Sequence, residues 1–302
     1  MQLHASSAVS TESIPVILNG TAGKGLSASE ARELLGQLKQ AGLEARLLAG
    51  NDIGELARRA IADKPRLLVA GGGDGTLSSV ADVLRGTDTA LGILPLGTLN
   101  HFARDLRIPL ELKDAVRTIA QGRRVAVDMG EVNGRGFLNN SSLGLYPDIV
   151  RERRRQQRRL GRSKRAAMIW ATLAVLNRAP LLSLRLELDD RVQGCRAPFV
   201  FVGNNDYVME GFEIGTRERL DGGRLCIYTT QRSSRGGLIA LALRALCGRL
   251  RQADDFIELK AKTLRVETPH KRLIVATDGE VAVMDTPLDY RILPRCLTVI
   301  VP

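Results

Sequence analysis

Between residues 14 and 106 the chain alternates short apolar runs with helix-patterned segments, and the runs end at loops rich in glycine or small polar residues. IPVILN (14–19) leads into GTAGKG (20–25). Residues 27–41 then carry a helical period, with Ser27 at a capping position and Glu30 three residues on, the spacing of a capping box. Ala45–Leu48 reads as a second strand and Ile53–Ala62 as a second helix. RLLVA (66–70) is a third strand that runs into GGGDGT (71–76) and a helix over Leu77–Leu84. ALGIL (90–94) is a fourth, followed by PLGTLN (95–100) and another helix. Strands that alternate with helices of about 10–15 residues form a parallel sheet covered on both faces, because each parallel connection needs a crossover element.

After Val125 the rhythm changes. FLNNSSL, LSLRLEL, APFVFVG, RLCIYTT, TLRVET, RLIVAT, EVAVM and CLTVIVP are short alternating runs, interrupted by helical stretches at 163–178 and 236–250. That pattern marks an antiparallel, mainly-β domain with added helices. The expected organisation is an α/β domain over 13–129 and a β-rich domain over 130–302, with the last strand available to return to the first domain.

A length of 302 residues with 44% hydrophobic and 25% charged residues suits one large or two ordinary domains with a sizeable core, and excludes a disordered tail or a disulfide-stapled scaffold. Four cysteines, at 195, 226, 247 and 296, have no C-x-x-C spacing, so a structural zinc site is not expected. The first residues, MQLHASSAVSTESIP, lack the basic and apolar regions of a signal peptide, and no run reaches about 18 apolar residues. The expectation is a cytoplasmic protein. Its net charge of +11 is concentrated: Arg151–Arg165, RERRRQQRRLGRSKR, carries a net +8, leaving +3 for the rest. A run of this kind suits an anionic surface or a solvated helix face.

GGGDGT lies where a hydrophobic strand gives way to a helix. Glycines let the backbone approach a phosphate, and the helix start offers N–H groups and a positive dipole end. Asp74 is not a phosphate ligand, since two anions repel; a magnesium-side carboxylate or a base fits it better, and a solvated turn residue is the plain alternative. The loop is neither a Walker A sequence nor the G-x-G-x-x-G fingerprint. Lys24, in the loop at 20–25, also lacks Walker spacing but is long enough to reach a phosphate. PLGTLNHFARDL (95–106) repeats the logic at the next strand end, with Gly97 allowing a turn and Thr98 and Asn100 offering neutral donors. Loops at adjacent strand ends make the usual ligand crevice of an open α/β sheet.

GGGDGTL followed by LGILPLGTLNHFARDL resembles the diacylglycerol kinase catalytic-domain family, which includes sphingosine kinases and bacterial lipid kinases and is distantly related to NAD kinases. The resemblance runs on through VDMGEVNG (127–134), FLNNSSLG (137–144) and LDGGRL (220–225) to TDGE (277–280). It implies an NAD-kinase-like α/β domain and a β-sandwich-like domain with the reaction in the cleft between them. It also implies a phosphotransferase that uses ATP and Mg2+ on a lipid hydroxyl. Gly72, Gly73, Asp74, Gly75 and Thr76 would hold the ATP phosphates and magnesium, and Asn19, Gly97, Thr98 and Asn100 would line the nucleotide pocket. Asp278 would be the general base with Glu280 beside it, the choice between them being open. Asp128 would join a metal and water network, and Asp221 would hold a structural magnesium with the carbonyls of Glu218 and Gly223.

The residues by themselves allow plainer readings. LIVAT and EVAVM flank Asp278-Gly279, a strong signal for a two-residue hairpin turn; LDGG at 220–223 is equally a turn. The chain also departs from the family pattern, most clearly in His101, where the family commonly has Asp. The implied partners are a lipid substrate and an anionic membrane, the latter touched by Arg153, Arg154, Arg155, Arg158, Arg159 and Trp170 in a reversible association. A homodimer is compatible with the sequence. Nucleic acid is not an expected partner, given 4% aromatic residues and no recognised motif. The competing readings are a kinase of a soluble substrate such as NAD, and a silent regulator that binds nucleotide or anionic lipid.

Overall fold

The computed structural model describes residues 13–19, 27–144, 181–189, 191–207, 209–210, 213–214, 216–230 and 256–302. The arginine run, Trp170, Cys247, Lys24 and the helical stretches expected at 163–178 and 236–250 lie outside the described residues. Two compact units emerge. One takes the chain up to Thr98, then Arg107–Val125 and Thr298–Pro302; the other takes Leu99–Leu106 and Ala126–Leu297.

The first unit begins with β1 (Ile14–Leu18), α1 (Ala28–Gln40), β2 (Ala45–Leu48) and α2 (Ile53–Ile61). The Ser27–Glu30 capping box forms as read: the Ser27 hydroxyl accepts the Glu30 amide, and the Glu30 carboxylate accepts the Ser27 amide at 2.7 Å. β3 (Leu67–Gly72), α3 (Asp74–Leu84) and β4 (Ala90–Pro95) follow. The helix after the glycine loop starts at Asp74, earlier than the expected Leu77. Gly73 serves as its N-cap, so Asp74, Gly75 and Thr76 form its first turn.

α4 (His101–Asp105) is a five-residue helix of the second unit. The chain then returns to the first unit for α5 (Leu112–Gln121), an element the sequence pattern did not announce. α5 packs closely on β4: a Cβ at Gly92 would lie 3.2 Å from both an Ile119 and a Val69 methyl.

β1 pairs in parallel with β2 and β3, and β3 with β4. Leu18 lies opposite Gly71, and Gly72 opposite Pro95, so the loops after these three strands leave the same edge of the sheet. Val16, Ile17, Leu68, Val69, Ala70, Leu91, Ile93 and Leu94 are wholly buried in the sheet. Helix residues Leu38, Ala57, Leu77, Val80 and Leu84 are buried with them.

The second unit contains β5 (Arg123–Val132) from Ala126 onward, then β6 (Arg135–Phe137), β7 (Asn140–Gly144), β8 (Leu182–Leu188), β9 (Arg191–Ala197) and β10 (Phe199–Asn204). The run FLNNSSL is therefore two strands, interrupted at Leu138–Asn139. After β11 (Met209–Glu210) and β12 (Glu213–Ile214) come β13 (Leu225–Thr230), β14 (Phe256–Ala261), β15 (Thr263–Glu267), β16 (Arg272–Thr277) and β17 (Glu280–Asp285). CLTVIVP is the end of a much longer strand, β18 (Leu288–Val301). That strand begins in the second unit and ends in the first, where Val299 lies parallel to Leu91.

One antiparallel sheet of the second unit has the order β14-β13-β10-β7-β16-β17. In the other, β15 lies between β18 and β8, and β9 follows β8. LSLRLEL alternates as its pattern implies, burying Leu182, Leu184, Leu186 and Leu188. Those leucines join Leu143, Val200, Val202, Ile227, Leu264, Val275 and Tyr290 in a single core, which gives the β-sandwich character expected of this half. Cys195 and Cys226 are buried free thiols and Cys296 is partly buried. No helix of the described residues is long and apolar enough to cross a membrane.

Candidate active site

In the first unit the strand ends converge on the glycine loop. Asn19 donates its backbone amide to the Gly71 carbonyl at 2.9 Å and its side-chain amide to the Thr76 hydroxyl at 2.8 Å. Leu96 donates its amide to the Gly72 carbonyl at 3.1 Å, tying the next loop to the same place. Side chains would be crowded here. A Cβ at Gly72 would strike the Thr76 side chain, and one at Gly73 would lie 3.3 Å from the Gly97 Cα. The N-terminus of α3 has no capping side chain. Its first-turn amides carry the positive end of the helix dipole, the chemistry that receives a phosphate. Asn19, Gly72, Gly73, Asp74, Gly75, Thr76, Gly97 and Thr98 thus belong to one strand-end edge, with Asp74 half-buried in the first helical turn and Thr98 exposed.

Asn100 lies in the second unit, buried, at the start of α4 with a left-handed backbone (φ 51°), which asparagine tolerates better than most residues. His101 follows it on an exposed position.

Asp278 and Gly279 form the two-residue turn between β16 and β17, both with positive φ (47° and 80°), and Thr277 pairs with Glu280 across it. The hairpin reading is therefore right, and it does not compete with a chemical role. The turn places the Asp278 carboxylate against the β6–β7 break, where it accepts the amides of Leu138 (2.7 Å), Asn139 (2.8 Å) and Asn140 (3.1 Å). Glu280 is held differently: its carboxylate accepts Arg135 Nη2 at 2.6 Å and is half exposed.

Asp128 and Asp221 meet at one loop but are engaged by protein groups. Asp128 is buried; its carboxylate accepts the amides of Gly223 (2.7 Å) and Arg295 (2.8 Å). The Asp221 carboxylate accepts Arg219 Nε at 3.1 Å, and the Arg219 hydrogen bond holds it below the usual carboxylate range. Among the described residues no three His, Cys, Asp or Glu side chains gather as a metal site. The carbonyls of Glu218 and Gly223 share this loop with Asp221, the one carboxylate expected to join them, which Arg219 engages. No step is derived through a cation at this loop.

Residues 13–132 match the family described as the diacylglycerol kinase catalytic domain, and residues 148–301 match the YegS C-terminal NAD kinase beta sandwich-like domain. The chain belongs to the diacylglycerol kinase family. A diacylglycerol kinase of Staphylococcus aureus (strain JH9) is 29% identical over 293 residues, spanning 95% of this chain and 91% of that protein. A crystal structure of a Bacillus anthracis str. Sterne protein, provisionally named a diacylglycerol kinase, superposes with a TM-score of 0.74 at 25% identity. It covers 96% of this chain and 97% of its own. The family makes this chain a lipid kinase that transfers phosphate to an alcohol, and a kinase family implies ATP use.

The sequence did not single out what lies behind the kinase's Asp278. Arg217 is fully buried and pairs with Asp105 of α4 (2.8 Å), an ion pair that leaves almost nothing of either side chain exposed. Its guanidinium also donates to the carbonyls of Leu138 (2.7 Å) and Asn204 (3.0 Å) and to Asn139 Oδ1 (2.8 Å). The ring of Tyr207 lies 5.3 Å from it, and the Tyr207 hydroxyl donates to the Asn139 carbonyl at 2.8 Å. Burial drives the Tyr207 phenol well above its ordinary range. In the sequence Arg217 sits in TRERLDGG, a stretch that reads as a charged surface turn; only its fold context reveals it.

Proposed function

We propose that this kinase transfers the γ-phosphate of ATP to the hydroxyl of diacylglycerol or a related lipid, with Asp278 as the general base. The observation that carries the reading is the Asp278 carboxylate, fixed by three consecutive backbone amides at the tip of a hairpin. A base needs a fixed lone pair in reach of the hydroxyl it deprotonates, and this one is fixed by the amides of the short break between β6 and β7. Glu280, turned toward Arg135, is the neighbour that shapes the charge of the site. Phosphoryl transfer asks mainly for positioning and charge neutralisation. The glycine edge of the first unit, Gly72 to Thr76 with Asn19, Gly97 and Thr98, would cradle the nucleotide phosphates, and Asn100 would line the nucleotide pocket. Magnesium is bound in such enzymes through one or two carboxylates plus substrate phosphates, and Asp74, in the first turn of α3, fits that role. When bound, the ion would offset phosphate charge. Asp128 braces the loop 220–223 and β18 within the second unit.

The arginine run would hold the kinase reversibly at an anionic bilayer, at about 1 kcal/mol per basic residue near the surface. Such binding to anionic vesicles should weaken steeply with salt.

The test is transfer of labelled γ-phosphate from ATP with magnesium to diacylglycerol, a sphingoid base and another glycerolipid in anionic mixed micelles. NAD serves as the soluble control, and Asp278→Ala is run beside the natural protein. A labelled lipid that is lost with Asp278→Ala supports the reading and names the substrate class. Label on NAD alone would overturn it, and ATP binding with no transfer to any acceptor would favour a regulator.

A further inference from the structure

Buried ion pairs are a poor way to hold a loop, since apolar residues of similar size often serve stability as well or better. The Asp105–Arg217 pair therefore needs a purpose that apolar packing could not meet. Its geometry supplies one. The carbonyl of Leu138 and the amide of Asn139 belong to the same peptide group. The oxygen end accepts Arg217 Nη1 at 2.7 Å and Asn204 Nδ2 at 2.8 Å; the N–H end donates to Asp278 Oδ1 at 2.8 Å. A cation at the oxygen polarises the peptide and strengthens its N–H as a donor. Arg217 also fixes Asn139 through its side-chain oxygen, and Asp105 fixes Arg217 through both carboxylate oxygens, one on the Arg217 amide (3.1 Å) and one on Nε (2.8 Å). A line of contacts thus runs from Asp105 through Arg217 and the 138–139 peptide to the Asp278 carboxylate.

We propose that Arg217 is a positioning residue for Asp278, acting through the Leu138–Asn139 peptide to hold the carboxylate where it receives the proton of the substrate hydroxyl. The proposal rests on the assignment of Asp278 as the base. Asp105 serves it in turn by keeping the guanidinium in one orientation. Hydrophobic packing would fill the same space but would supply neither the directed donors nor the charge behind the peptide.

The experiment is a mutant cycle on the full chain, reading kcat and KM with diacylglycerol in mixed micelles, with thermal unfolding and ATP binding measured for each variant. Arg217→Met is made together with Asp105→Leu, so that no charge is stranded in the interior. Arg217→Lys keeps the charge but cannot form the fork. The pair variant should unfold cooperatively and bind ATP, yet lose about 10²-fold in kcat, the scale of a small misplacement of a reacting group. Its KM should stay within about twofold. Arg217→Lys should lose less. In an Asp278→Ala background the same changes should cost no more than about twofold.

Equal losses with and without Asp278 would show a merely structural knot and overturn the proposal. If the pair variant fails to fold, Arg217→Lys carries the same comparison. If Asp278→Ala alone leaves turnover intact, the base assignment falls and takes the proposal with it, a result distinct from equal losses in the two backgrounds.

Discussion

Asp128 holds Gly223 from across the second unit: its carboxylate accepts the Gly223 amide at 2.7 Å and, through the other oxygen, the Arg295 amide at 2.8 Å. The Leu220 carbonyl accepts the Asp128 amide at 2.7 Å, so the loop and the strand are bonded in both directions. A buried aspartate in this position is a clamp on the loop 220–223 and on β18.

Asp128→Ala should accordingly lower the stability of the kinase by about 2 kcal/mol, the scale of losing charge-assisted hydrogen bonds whose donors can partly rehydrate. Urea unfolding checks the size. Chelation of divalent ions should leave the melting temperature of the natural protein unchanged if the carboxylate is occupied by these amides. A chelator-dependent melting temperature would instead place a cation at Asp128 or Asp221.

Gly73→Ala should weaken ATP binding by about tenfold, or 1.4 kcal/mol, with little change in melting temperature. The added methyl would stand 3.3 Å from the Gly97 Cα and narrow the space between the two strand-end loops, a contact that a shift of a few tenths of an ångström relieves. Gly73 has an ordinary extended backbone (φ −90°, ψ −177°), so the substitution brings no conformational strain. Isothermal titration with an ATP analogue separates the two effects: a large melting change with intact affinity would move the phosphate site elsewhere.

α1 should fray in acid. The Glu30 carboxyl lies below its ordinary range because the Ser27 hydroxyl and then the Ser27 amide donate to its charged form. A depressed carboxyl contributes stability above its unfolded value, and that contribution is lost as pH falls through the folded value. Amide exchange over the first turn of α1 should therefore speed up below the ordinary glutamate range, about pH 4. Glu30→Gln should flatten that dependence. An unchanged profile in Glu30→Gln would show that the capping box does not govern this end of the helix.

The parallel half of the fold was legible because its signals are local: each strand ends at a glycine or a small polar loop, and Ser27 and Glu30 announce a helix start. The antiparallel half was legible where one face is buried, as in LSLRLEL, and not at its margins. β9 and β14, both unread, are edge strands. RVQGCRA buries only Cys195 and Ala197, because an edge can stay polar on most of its positions. α5 escaped for a related reason, its buried set being the small cluster Ala115, Val116, Thr118 and Ile119. In the candidate site the glycine loop and TDGE could be read from residue type, since glycine and a D-G turn carry their geometry with them. Arg217 and Asp105 could not: they are 112 positions apart, and nothing local distinguishes a buried arginine from a solvated one.

The choice between Asp278 and Glu280 should fall to Asp278. Three consecutive backbone amides on Asp278 fix the direction of its carboxylate. Glu280 sits on the next strand, where its carboxylate is bound by Arg135 at 2.6 Å and half in water, so its position depends on two flexible side chains. Asp278→Ala should then lower kcat by about 10²–10⁴-fold, the usual worth of a general base, while Glu280→Gln costs distinctly less. Arg135→Ala distinguishes the roles further, because it releases Glu280 and leaves the three amides on Asp278 in place; it should change KM more than kcat. A larger loss of kcat in Glu280→Gln than in Asp278→Ala would reverse the assignment and make the amide-bound aspartate a brace for the hairpin.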